Sequence, residues 1–135
     1  MIIGYTQGTF DTLHIGHIRL LKRAKEQCDY LIVGVNSDEL VKNYKNTDTI
    51  IKQDERKELI EAIKYVDKAT IVNTLDKKIH QKEFGFSLIF IGDDWKGNER
   101  WNKTEIEMAK LGAKVIYIPY THGISTTIIK EIRGK

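Results

Sequence analysis

YTQGTFDTLHIGHIRLLKRAK, residues 5 to 25, passes from a β-rich apolar run through a glycine-bearing turn into a segment of helical periodicity, with His14 and His17 at the junction. Ile18, Leu21, Ala24 and Cys28 recur at about helical spacing after the turn. A strand that feeds a helix in this way starts a βα unit, and the pattern repeats along the chain. Nearly continuous apolar runs lie at 1–6 (MIIGYT), 30–36 (YLIVGVN), 69–72 (ATIV), 88–92 (LIFIG) and 114–119 (KVIYIP), as expected of strands buried on both faces. Between them, Leu59, Ile60, Ile63 and Val66, and later Ile106, Ala109 and Leu111, repeat at helical spacing, with Gly112 placed as a C-terminal cap. Alternating strands and helices imply parallel pairing with right-handed crossovers. The expected fold is α/β: a three-layer, Rossmann-like, doubly wound sandwich with a parallel sheet of about five strands, forming one domain over residues 1–135. The single proline, Pro119, should end the last strand.

Two polar stretches, 40–55 (LVKNYKNTDTIIKQDE) and 93–103 (DDWKGNERWNK), follow strands 2 and 4 and read as long loops. In doubly wound sheets ligands bind beyond the C-terminal strand ends, so both are candidate site walls.

Composition narrows the function classes. The 135 residues carry 22 Lys plus Arg against 19 Asp plus Glu, a net charge of +3 spread along the chain. That suits a small anionic ligand, and the dense basic stripe usual for nucleic-acid partners is missing. The lone cysteine, Cys28, excludes an internal disulfide and a multi-cysteine zinc site, and fits a reducing interior. No apolar run approaches the roughly 18 residues of a membrane span, and the N-terminus lacks signal-peptide features. A cytoplasmic protein without a membrane partner is expected.

The turn itself suggests phosphate chemistry. A helix N-terminus offers free N–H groups and the positive end of the dipole. Gly8 should let the backbone turn tightly and Gly16 should leave room for a ligand. His14 and His17, three apart, should share a face and aim two donors at one oxyanion. Asp11 is the one nearby carboxylate, so no protein-built metal site is expected. Gly4, Gly8 and Gly16 do not make the G-x-G-x-x-G of a dinucleotide oxidoreductase. His80 and His122, each alone, read as structural residues. Ser125 is a good helix N-cap, and Thr126 and Thr127 add hydroxyls around the same terminus.

H-x-G-H in GTFDTLHIGH, GDDW at 92–95 after the fourth strand, and GISTT at 123–127 opening the last helix occur here in that order. On these three motifs the chain resembles the glycerol-3-phosphate cytidylyltransferases, within the HxGH nucleotidyltransferase superfamily, over essentially its whole length. The resemblance implies transfer of CMP from CTP to a small phosphomonoester by direct in-line attack, releasing pyrophosphate, with Mg²⁺ held mainly through the CTP phosphates. It makes His14 and His17 the catalytic pair. Gly8, Thr9, Phe10, Asp11 and Gly16 become nucleotide-binding, as do Asp94 and Trp95 near the base. Tyr120, Thr121, Gly123, Ile124, Ser125, Thr126 and Thr127 join them around the triphosphate. Lys45 and Lys77 match lysines near the phosphates of acceptor or nucleotide. It also implies a homodimer and a product such as CDP-glycerol, destined for teichoic-acid-like or capsular polymers.

The chain departs from the family pattern at Tyr120, where an arginine is expected, at Thr47 in a K-x-K pair, and at Lys64 in place of arginine. Lys is not equivalent to Arg for bidentate phosphate contacts, so these positions bear on the acceptor. Two other functions compete: an adenylyltransferase of the same superfamily, such as an FAD synthetase, and a nucleotide-sensing module without turnover.

Overall fold

A computed structural model of the chain describes residues 1–119. The chain runs β1 (Ile3–Gly8), α1 (Ile15–Glu26), β2 (Tyr30–Asn36), α2 (Asp38–Lys45), α3 (Gln53–Glu61), β3 (Lys68–Val72), α4 (Lys77–Phe84), β4 (Leu88–Gly92), α5 (Glu99–Lys110) and β5 (Lys114–Ile118). All pairings are parallel and the strand order is β3-β2-β1-β4-β5. The chain therefore winds outward from β1 to β3, then returns to the other side of β1 for β4 and β5. The winding reverses between β1 and β4, and a crevice opens there at the C-terminal strand ends. The fold is the expected Rossmann-like α/β arrangement.

Strand alternation loads both faces of the sheet. Leu31, Val33 and Val35 of β2 point with Phe90 to one face and pack with Leu21 and Ala24 of α1 and Ile60 of α3. Ile32, Ile89 and Tyr5 point to the other, against Trp101 and Met108 of α5. Leu21 and Met108 are fully buried, and truncating either to Ala should cost about 2–5 kcal/mol. Gly34 is required because a Cβ there would strike the Tyr5 ring, which lies across β2. Arg23 Nη1 donates to the Pro119 carbonyl at 2.8 Å, tying α1 to the end of β5.

Several expectations on extent change. The first strand runs from Ile3 to Gly8, two residues beyond the apolar run. Residues 40–55 are mostly helical, because Ser37 caps α2 through Leu40 N at 3.1 Å and leaves only 46–52 as a connection. Residues 93–95 form a 3₁₀ turn, and Asn98 caps α5 through the Arg100 and Trp101 amides, so 99–103 are helix rather than loop. Helix α3 ends at Glu61, before Ile63 and Val66, and Leu59 is largely exposed. In α5, Ile106 points outward while Trp101, Thr104 and Met108 form the buried face. Gly112 does follow α5 with φ 79°, where glycine is favoured. Among the described residues, no helix is long and apolar enough to cross a membrane.

Candidate active site

β1 ends at the crevice, and the next residues form a strained turn. Its positive φ falls on Phe10 (54°), a conformation that costs a bulky residue energy and persists only where packing enforces it. Gly8 serves a different purpose from the one expected: a Cβ there would stand 2.8 Å from the Phe10 ring, so glycine makes room for that ring. Phe10 is nearly buried and meets His17 edge-on, with centroids 5.5 Å apart.

The histidine pair begins α1 as a reciprocal cap. His14 Nδ1 accepts from Gly16 N at 3.0 Å, and His17 Nδ1 accepts from the His14 amide at 3.2 Å. Each satisfies a backbone donor that a helix start would otherwise leave unpaired. An imidazole that accepts at Nδ1 carries its proton on Nε2 when neutral, so both rings are held in the Nε2–H tautomer. The centroids are 4.1 Å apart. Burial, and then the neighbouring His14, push the His17 imidazole down to about 4, so it is neutral at pH 7. Gly16 thus acts through its amide, which orients His14.

Arg56 of α3 underlies this turn. Its side chain is fully buried and all of its reach is used: Nε donates to Ile51 O at 2.8 Å, Nη1 to Thr9 O and Asn36 O at 2.7 Å each, and Nη2 to Asp38 Oδ1 at 2.6 Å. One guanidinium therefore joins the turn after β1, the end of β2, the start of α2 and the 46–52 connection. Desolvation raises the Asp38 carboxyl, but hydrogen bonds from Arg56, Thr49 and Gln53 outweigh it and hold the group below its ordinary value. Asp11 latches the connection, accepting from Ile50 N at 2.9 Å and Ile51 N at 2.8 Å. Those two amides, with Arg56, likewise overcome desolvation and keep Asp11 ionised. Asp11 thus lines the edge of the cleft and at the same time anchors the 46–52 connection. Asn36 completes the floor, donating to Thr9 Oγ1 and to Tyr44 Oη at 3.2 Å each.

Opposite stand α4, α5 and the 3₁₀ turn. Lys77 Nζ donates to Leu75 O at 3.1 Å and lies 5.7 Å from the centre of the Trp101 ring. Burial, then the Arg100 charge, lower its ammonium to about 8. Arg100 stacks on Trp95 at 5.4 Å. The cleft between these walls measures about 580 Å³ and brings together His17, Thr9, Asn36, Lys45, Lys77 and Arg100.

The structure thus gathers Gly8, Thr9, Phe10, Asp11, His17, Lys45, Lys77 and Trp95 around one cleft. His14 stands beside it through His17. Asp94 is exposed in the 3₁₀ turn and does not line the cleft, whereas Trp95 does. His80 is structural as expected, buried with Nε2 2.9 Å from Thr74 O. Tyr120, Thr121, His122, Gly123, Ile124, Ser125, Thr126 and Thr127 lie outside the described residues. Sequence reasoning passed over Arg56, Asp38, Asn36, Tyr44 and Arg100. Arg56 sits in an unbroken polar run, QDERKE, that reads as solvated helix surface, so nothing local betrays its burial.

Comparison with known proteins agrees with this geometry. The cytidylyltransferase-like family model matches residues 5–132. A glycerol-3-phosphate cytidylyltransferase of Bacillus subtilis (strain 168) is 40% identical over 127 residues, spanning 93% of this chain and 92% of the relative. An FAD synthase of Thermococcus kodakarensis is 40% identical over 117 residues, spanning 85% of this chain and 78% of the relative. Among solved structures, the lipopolysaccharide core biosynthesis protein of Thermoplasma volcanium superposes with a TM-score of 0.75 at 31% identity, covering 90% of this chain and 97% of that one. The H-x-G-H turn, the parallel sheet and these matches agree, and the chain belongs to the cytidylyltransferase-like family.

Proposed function

We propose that the protein transfers CMP from CTP to a phosphorylated alcohol, glycerol 3-phosphate or a close relative, giving a CDP-alcohol and pyrophosphate. The observation that carries this reading is the reciprocal histidine cap, which holds two Nε2–H tautomers at a cleft that also contains lysine and arginine. A phosphate oxygen of the acceptor attacks the α-phosphorus of CTP, one P–O bond forms, and the bond to the β-phosphate breaks in line. Such a step needs positioning and charge stabilisation, and no protein nucleophile. Neutral Nε2–H groups donate to oxygens whose charge grows in the transition state, without the cost of reorganising water. Mg²⁺ would be held mainly through the CTP phosphates and would supply charge neutralisation there. The expected homodimer and cytoplasmic location belong to the same reading.

A second reading, adenylyl transfer, is favoured by the FAD synthases among the relatives. Pyrophosphate release with Mg²⁺ separates the two. CTP with a polyol phosphate should give turnover, and turnover with ATP and FMN but not with CTP would select the second.

A further inference from the structure

A second cleft of about 260 Å³ lies between α4 and α5 and shares Leu75, Lys77, Arg100 and Trp101 with the main one. Lys77 and Arg100 therefore stand at the passage between the two. Each is positioned by an aromatic ring, Lys77 over Trp101 and Arg100 over Trp95. Among the described residues no carboxylate forms an ion pair with either cation. Two like charges sharing a partly desolvated passage repel one another unless an anion lies between them. Burial, and then that repulsion, depress the Lys77 ammonium, and the pull of Asp76 does not restore it. The far side of the second cleft has different chemistry. Lys78 and Glu107 bridge α4 to α5 at 3.2 Å, and Asp76 and Thr104 add oxygen acceptors suited to hydroxyl groups.

We propose that Lys77 and Arg100 clamp the phosphate of the acceptor at this passage, and that the acceptor's hydroxylated chain lies in the α4–α5 cleft. This rests on the transfer reading above and deepens it, naming Arg100 as a specificity-determining residue and a phosphorylated polyol longer than three carbons as the substrate class. The second cleft, about 260 Å³ and lined beyond the two cations by Asp76, Thr104 and Glu107, gives a chain longer than three carbons both room and oxygen partners.

Isothermal titration of the full chain, without nucleotide, tests this with glycerol 3-phosphate and ribitol 5-phosphate. The five-carbon ester should bind several-fold more tightly. Arg100→Ala should weaken both by at least about tenfold and Arg100→Lys should recover part of the loss, with a smaller rise in the KM for CTP because the guanidinium also stacks on Trp95. Equal binding of the two esters, no effect of Arg100→Ala on ester binding, or a rise in the KM for CTP larger than the loss of ester binding would overturn the proposal. Loss of ester binding in Arg100→Ala, in a protein that transfers no nucleotide to any acceptor, would support the clamp while ending the transfer reading.

Discussion

On the β1 side of the cleft, the groups that face a ligand are held by backbone. His14 and His17 are each fixed by a main-chain amide, and Arg56 binds three main-chain carbonyls beneath them. On the α4–α5 side, the cations are long side chains resting on tryptophan rings, and among the described residues a single main-chain hydrogen bond, from Lys77, holds them. The first wall is suited to a step in which displacements of about 1 Å are costly. The second can adjust to the shape of what it binds. In the proposed reaction, chemistry common to every substrate belongs to the rigid wall and discrimination between alcohols to the adaptable one.

The largest effect should come from breaking the rigid wall at its base. Arg56→Met leaves Asp38 without its charged partner and three carbonyls without donors, and should destabilise the fold by roughly 3–5 kcal/mol, read by chemical denaturation. The next comes from the histidines. His17→Ala should lower kcat about 10²–10³-fold in a pyrophosphate-release assay, with the circular dichroism spectrum retained. His14→Asn sharpens the point, because asparagine is a good N-cap: stability should stay within about 1 kcal/mol of the parent while turnover is still lost.

Acid should weaken the same wall. Unfolded His17 takes up a proton near pH 6.5, whereas in the fold it does so only near 4, because burial and then the neighbouring His14 disfavour the charged ring. Its contribution is complete above about pH 6.5 and disappears as the pH falls towards 4. Below about pH 3.9 the contributions of Asp11 and Asp38, whose carboxyls are held low in the fold, fade as well. Melting temperature measured against pH should therefore fall in two stages, and the first should be absent from His17→Gln. The smallest effect belongs to exposed charge: removing the Lys57–Glu61 pair of α3 should cost no more than about 0.5 kcal/mol.

The sheet was legible because strands buried on both faces must be written as apolar runs, and each run proved to be a strand. The histidine pair was legible because three-residue spacing brings side chains together, though its role as a reciprocal cap emerged only from the backbone geometry. Helices α2 and α4 were harder to read. Both are short and polar outward, with start signals, Ser37 and Asp76, that also suit turns. The place of Asp11 beside the turn was legible, but its hold on the Ile50 and Ile51 amides depends on the path of residues 46–52 and was not. Arg56 and Arg100 were hidden for a common reason: an arginine's importance lies in what surrounds its guanidinium, and those neighbours are distant in sequence.

The proposed cytidylyl transfer depends on the rigid wall. The most direct test is the initial rate of pyrophosphate release from CTP and Mg²⁺ with a polyol phosphate, comparing the unmodified protein with His17→Ala. Turnover that requires the polyol phosphate and falls at least about 10²-fold in the variant is the predicted result. Equal rates in the two proteins, or release supported by ATP but not by CTP, would contradict the account.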